Sequence, residues 1–200
     1  GDMIWDLESG YDLTFLIAAW VTPRDPIIAK ILKQAKEKMH DRSLLGYQRE
    51  TNKKILKEIE AIWETIKAME ISYVDSAVSY ALGSTQKIKF PIESIEEKSA
   101  NCADGTVLFA SIFESLGLDP LIIVTQNHVF LGVKGKEINK ETPIFFIETT
   151  MVGTSSLEEA LEVGAQNYAE QEKLIQDKDY VILDITSLRK AGITPMPIKK

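Results

Sequence analysis

The chain has 200 residues, 44% of them hydrophobic, and a formal net charge of -7. This length and composition predict one domain, over residues 1–200, with a hydrophobic core. The scattered lysines and arginines argue against a nucleic-acid surface, which needs a basic cluster. One cysteine excludes an internal disulfide and, with only two histidines, argues against structural zinc. No apolar stretch has the length of a membrane span, so we expect no membrane-spanning segment and no metal or other cofactor.

The N-terminal part, residues 1–70, is predicted to be helical. Residues 4–22 are too apolar for a linker and are expected to cover part of the core. Asp25 is a typical helix start, and the apolar residues that follow it recur at three- and four-residue spacing, which predicts a helix over residues 26–39. A second amphipathic pattern predicts a packing helix over residues 51–69.

Residues 71–98 lose the helical period and predict a long, largely irregular segment, with one alternating stretch before Pro91. Long loops in compact domains are usually functional or disordered, and this one is too aromatic for disorder. We expect it to form one wall of a cleft. The candidate lining residues, each equally compatible with a place in the core, are Tyr73, Tyr80, Gln86 and Phe90.

The only cysteine, Cys102, stands at the start of a predicted buried helix that ends at Gly117. Asn101 and Asp104 are suitable caps, and apolar residues then follow at helical spacing. Free backbone N–H groups and the positive end of the helix dipole gather at such a first turn, where they favour thiolate over thiol. A cysteine in an apolar helix is most often a small hydrophobe. Cys102 departs from that pattern because it precedes the apolar stripe and has polar neighbours.

After this helix the pattern changes to strands. Apolar runs bounded by polar turns predict strands over residues 121–124, 128–133 and 144–149. A helix over about residues 156–177 follows, and then a last strand and an extended tail within residues 178–200.

Two of the predicted strands bring a histidine and an acid together. In a hairpin centred near Ile138, His128 falls opposite about Glu148, and the period of two puts both on one face. A cysteine nucleophile needs a base and a group that orients the base. The sequence therefore predicts a triad in which Cys102 is the nucleophile. The alternative is that a backbone carbonyl satisfies His128 and that Glu148 is exposed on its strand.

Residues for oxyanion or substrate binding are also predicted. The Cys102 backbone N–H is the natural oxyanion donor. Gln86, Asn127 and Asp104 are the candidate side chains, although Asp104 better suits a structural role, as a helix cap or in a bond to a nearby loop.

Four motifs in this order resemble those of bacterial transglutaminase-like cysteine proteins. They are NCxD at 101–104, ESLGL at 114–118, NHVFLGV at 127–133 and FIETT at 146–150. The resemblance covers about residues 86–164 and implies an α+β fold with a papain-like transglutaminase core. In that fold the catalytic Cys lies at the N-terminus of a buried helix packed on an antiparallel sheet, here with additional N-terminal helices. The family's acid is more often Asp, so Glu148 departs from the commonest pattern, though a Glu has the reach to serve.

The resemblance implies a cysteine hydrolase or acyltransferase acting on amide or peptide bonds through a thioester, with a polypeptide or amide substrate. We expect hydrolysis rather than crosslinking, since no acidic loop has the ligand spacing of a calcium site. A catalytically inactive member of the fold, or a peptide-binding module, is the alternative. The compartment stays open, and one extracytoplasmic domain of a larger secreted or surface-associated protein is compatible with the sequence.

Overall fold

The fold combines helices with a four-stranded antiparallel sheet in a computed structural model that describes residues 2–4, 13–49, 51–74, 85–173 and 180–197. The described helices are α1 (Pro26–Lys38), α2 (Asn52–Lys67), α3 (Pro91–Glu96), α4 (Cys102–Ser115), α5 (Leu157–Lys173) and α6 (Ile185–Lys190). The described strands are β1 (Asp2–Ile4), β2 (Ser72–Tyr73), β3 (Thr85–Lys87), β4 (Ser99–Ala100), β5 (Asp119–Val124), β6 (Val129–Lys134), β7 (Ile144–Ile147) and β8 (Val181–Asp184). Short 3-10 helices cover Thr14–Ala19, Gly46–Gln48 and Thr149–Met151.

The two N-terminal helices form where caps and apolar period predict them. Asp25 accepts a hydrogen bond from the Ile27 N–H at 3.0 Å and starts α1, and Thr51 accepts one from the Lys54 N–H at 3.3 Å and starts α2. Their apolar faces are buried in the main core, which α4 shares. Of the apolar stretch 4–22, the 3-10 helix Thr14–Ala19 packs on this core, and residues 5–12 lie outside the described part.

The segment before the cysteine is more regular than expected. It contains α3, which begins with Pro91 and is capped by Glu93, whose carboxylate accepts from the Phe90 N–H at 2.7 Å. Strand β3 pairs antiparallel with β1, and β2 pairs parallel with β4 immediately before Cys102. Residues 75–84, with the cleft candidate Tyr80, lie outside the described residues.

The large sheet has the strand order β7-β6-β5-β8, and every neighbouring pair is antiparallel. Leu131 pairs with Ile147, so the β6–β7 hairpin is centred on residue 139, midway between 131 and 147, rather than on Ile138. At its tip Asn139 and Lys140 both have positive φ, 53° and 69°, as a two-residue type I′ turn requires. Strand β7 ends at Ile147, so Glu148 follows the strand instead of lying within it.

Helices cover both faces of this sheet. On one face α4 contributes an almost wholly apolar surface to the main core. On the other, Phe130 and Phe146 pack with Tyr168 of α5. A Cβ at Gly164 would lie 2.6 Å from the Phe146 carbonyl carbon, so only glycine lets α5 approach β7 this closely. Within the described ranges, no helix has both the length and the apolar character that crossing a membrane requires.

Candidate active site

The N-terminus of α4 is held by a reciprocal pair of hydrogen bonds. The Asn101 side chain accepts from the Asp104 N–H at 2.8 Å, and the Asp104 carboxylate accepts from the Asn101 N–H at 3.1 Å. Cys102 is the first residue of the helix, so its own N–H has no intrahelical acceptor and lies at the positive end of the dipole. The side chain is only 2% exposed.

Both oxygens of the Asp104 carboxylate accept hydrogen bonds from the backbone. Besides the Asn101 N–H, its carboxylate accepts from the Lys89 N–H at 2.8 Å, which ties the segment after β3 to α4. Burial raises the pKa of this carboxyl, and the two backbone N–H bonds only partly oppose the rise. Of the two roles that the sequence left open, this geometry is that of a cap and loop anchor.

The second turn of α4 rests on the residues that neighbour the predicted base and acid. The Thr106 hydroxyl lies 3.4 Å from the Val129 carbonyl oxygen and 3.3 Å from the Thr149 hydroxyl. A Cβ at Gly105 would lie 3.1 Å from the Thr149 Oγ1. Since Val129 follows His128 and Thr149 follows Glu148, this seam joins the helix of Cys102 to both other elements.

His128 closes the four-residue turn between β5 and β6. Its N–H donates to the Thr125 hydroxyl at 3.0 Å, and its carbonyl accepts from the Thr125 N–H at 2.8 Å and from the Thr125 hydroxyl at 3.1 Å. Its ring stacks on Phe130, with centroids 6.0 Å apart and planes inclined by 20°. Backbone and ring are therefore both restrained.

The structure brings His128 and Glu148 together. The His128 Nε2 lies 2.6 Å from the Glu148 Oε2, and Asn167 Nδ2 donates to the same oxygen at 2.9 Å. The other oxygen accepts from the Thr150 hydroxyl at 2.6 Å and from the Thr150 N–H at 3.2 Å. Glu148 is 4% exposed, and burial alone would raise its pKa. The bonds from His128 and Thr150 outweigh burial and lower it.

Cys102 completes the cluster. Burial lowers the pKa of His128, but hydrogen bonds to Cys102 and Glu148, together with their charges, raise it from 6.5 to about 10. Because Nε2 is engaged by Glu148, Nδ1 is the ring nitrogen available to Cys102. A thiol, an imidazole and a buried carboxylate from three different elements therefore lie in one line of hydrogen bonds.

Two other predicted residues are not among the described partners of Cys102, His128 or Glu148. Asn127 is exposed in the turn that ends at His128. Gln86 lies in β3 opposite Met3, and its side chain is outside what the structure describes.

Sequence reasoning missed Thr150 and Asn167. Thr150 could have been found as a hydroxyl two residues after the acid. Asn167 gives no local signal, because its place depends on how α5 docks against β7.

A larger cleft lies away from the clustered residues. It has a volume of about 720 Å³ and lies between the end of α1 and the exposed side of α2. Its lining carries charges of both signs but none of the three clustered residues. A small cavity of about 20 Å³ lies beside the start of α4, where Tyr73, Gly105 and Thr150 line it. The lining of this small cavity likewise includes none of the three clustered residues, but it contains Asn101 and Thr149, their neighbours in the chain.

In the ranges that the structure covers, no group of three His, Cys, Asp or Glu side chains is placed to hold a metal ion. Comparison of the chain with models of protein families, with curated proteins and with solved structures gave no match. The function has to be argued from the geometry of the site.

Proposed function

We propose that this protein is a cysteine hydrolase or acyltransferase of the transglutaminase-like type, acting on amide or peptide bonds with Cys102, His128 and Glu148. The observation that carries the proposal is the hydrogen-bonded line from the Cys102 thiol through His128 to the buried Glu148 carboxylate, 2.6 Å from Nε2. Each member has the neighbour that nucleophilic catalysis requires.

The papain-like core is part of the same proposal. Two observations support it: the helix of the cysteine lies across an antiparallel sheet, and the histidine opens a strand of that sheet. The order of Cys102, His128 and Glu148 along the chain is that of the transglutaminase-like motifs. A Glu takes the place of the family's commoner Asp.

In the first half-reaction, Cys102 reacts as the thiolate of an ion pair with His128, which already holds the proton, and the thiolate sulfur bonds to the substrate's carbonyl carbon. The Cys102 N–H, free at the helix start, is placed to donate to the oxyanion that forms. The C–N bond then breaks, the amine leaves with the proton from His128, and a thioester remains.

In the second half-reaction, water or an amine attacks the thioester and gives its proton to His128. The C–S bond breaks, the acid or a new amide leaves, and the Cys102 thiolate is again paired with protonated His128. Throughout both steps Glu148 accepts from Nε2–H, which fixes the tautomer and stabilises the imidazolium.

Alkylation by iodoacetamide tests this proposal, because Cys102 is the only thiol in the chain. The same protein unfolded in urea supplies the reference rate of an unactivated thiol. At pH 6 an ordinary thiol is less than about 1% thiolate, so we expect at least roughly tenfold faster reaction in the folded protein. Replacing His128 by Ala should abolish the advantage, and equal rates in both variants would refute an activated nucleophile.

The burial of Cys102 favours a second candidate, a module that binds polypeptide without turning it over. With 2% of the side chain exposed, a folded protein of this kind would react about tenfold or more slowly than its unfolded form at pH 6. It would also bind polypeptide equally well after Cys102→Ser. The ratio of the alkylation rates of the folded and the unfolded protein therefore separates the two candidates. It lies above one for the hydrolase or acyltransferase and below one for the binding module.

A further inference from the structure

Helix α5 contacts Glu148 at three positions along one side. The Ala160 carbonyl accepts from the Glu148 N–H at 3.0 Å, and Gly164 packs on the backbone that immediately precedes Glu148. One turn further, the Asn167 amide donates to the Glu148 Oε2. Residues at these spacings share one face of a helix. A single helix face therefore holds both the main chain and the carboxylate of Glu148.

The Glu148 carboxylate needs several contacts to fix its orientation, because the side chain is flexible. The last torsion of a Glu side chain is broad, so one bond does not fix the plane of the carboxylate. An ionised carboxylate only accepts hydrogen bonds, so the group that Asn167 turns toward it is the NH₂. Thr150 holds one oxygen while His128 and Asn167 share the other. Of these partners, His128 lies in the turn before β6 and Thr150 in the short 3-10 helix after β7, and only Asn167 comes from α5.

We propose that Asn167 is a positioning residue of this site, which holds the Glu148 carboxylate in the plane where Oε2 meets His128 Nε2. Its consequence for catalysis rests on the proposed function, whereas the geometric role of Asn167 does not. A loss of the amide lets the carboxylate turn about its last torsion and weakens its bond to His128.

The test compares Asn167→Leu, which removes the donor at similar size, with the matched control Gln166→Leu, an exposed neighbour on the same helix. The primary readout is the His128 Hε2 proton by NMR, which resonates far downfield while it is bonded to a carboxylate. His40, the other histidine, is exposed and serves as the internal reference. We expect the signal to move upfield, or to disappear by exchange with water, in Asn167→Leu only.

The second readout is the pH profile of Cys102 alkylation. Loss of one bond to a charged group is expected to slow alkylation at pH 6 by about three- to tenfold in Asn167→Leu. A purely structural role would lower the melting temperature without moving this profile. Asn167→Gln, which keeps the amide donor, should recover most of the wild-type rate.

An Hε2 signal and an alkylation profile in Asn167→Leu that match those of Gln166→Leu would overturn the proposal. In a Glu148→Gln background, Asn167→Leu should add little, and a full additional effect would also overturn it, because the residue would then act through another group. Failure of the proposed function looks different. The wild-type thiol would then be slow, while the Hε2 signal would still respond to Asn167.

Discussion

Replacing Glu148 by Gln keeps the size of the side chain but removes its negative charge. Four donors point at the carboxylate: the His128 Nε2, the Asn167 amide, and the hydroxyl and N–H of Thr150. A carboxylate accepts from all of them, whereas a Gln amide accepts at only one end and donates at the other. At least one buried donor then faces an NH₂ group. We expect a loss of about 1–3 kcal/mol in the free energy of unfolding.

The same substitution should lower the pKa of His128. Two of the four influences that raise it, a hydrogen bond and a charge, come from Glu148, and the other two come from Cys102. Without the charge, we expect the pKa to fall from about 10 by roughly one to two units.

The sign of the pH dependence follows from these values. The pKa of folded His128, about 10, lies above the ordinary 6.5, so its proton stabilises the fold fully below pH 6.5. This stabilisation is lost as the pH rises to 10, with a slope of at most about 1.4 kcal/mol per pH unit. In Glu148→Gln the loss should be complete at a lower pH.

The assay is an NMR titration of the two histidines from pH 5 to 11, with urea unfolding at several pH values. His40 provides the reference for an exposed imidazole. A wild-type His128 that titrates together with His40, or a titration unchanged by Glu148→Gln, would refute the account of the pair.

Other substitutions test the support of the site and the core. Asp104→Ala removes half of the cap of α4 and the acceptor of the Lys89 N–H, and should cost about 1–3 kcal/mol in urea unfolding; no loss would contradict its structural role. Arg49→Met leaves the fully buried Glu58 carboxylate without its partner at 2.5 Å and should cost about 3–5 kcal/mol in urea unfolding, and an unchanged stability would contradict the importance of this pair. Gly164→Ala forces α5 away from β7, so we expect a loss of about 1–3 kcal/mol together with slower Cys102 alkylation, and an unchanged rate would show that α5 does not support Glu148.

The sequence alone is enough to predict the helices that have both a capping residue and a sustained apolar period. Helices α1, α2 and α4 begin where Asp25, Thr51 and Asn101 predict, because each cap is local chemistry followed by an apolar stripe. Helices α3 and α6 have six residues each, too few to show a helical period. The sequence therefore predicts only a strand and an extended tail within residues 178–200, where the structure also has α6, capped by Asp184.

The residues of the candidate site also fall into two groups, those that stand in local motifs and those that only the folded chain brings together. Cys102, His128 and Glu148 stand in local motifs, and the period of two along the strands put the last two on one face. The register was off because Asn139 and Lys140 take positive φ without a glycine to announce it. The role of Asn167 depends on helix docking through Gly164, which only the folded chain reveals.

The seam of Gly105 and Thr106 against Thr149 has a consequence for substrate entry. It joins the elements that carry Cys102, His128 and Glu148, so under the proposed function the reacting groups are assembled before any substrate arrives. Because Cys102 is almost wholly covered, we expect the uncovering of the thiol to be the slow event on an amide substrate of the proposed enzyme. Substitutions that ease this opening should change kcat and KM together while they leave the order of proton transfers intact.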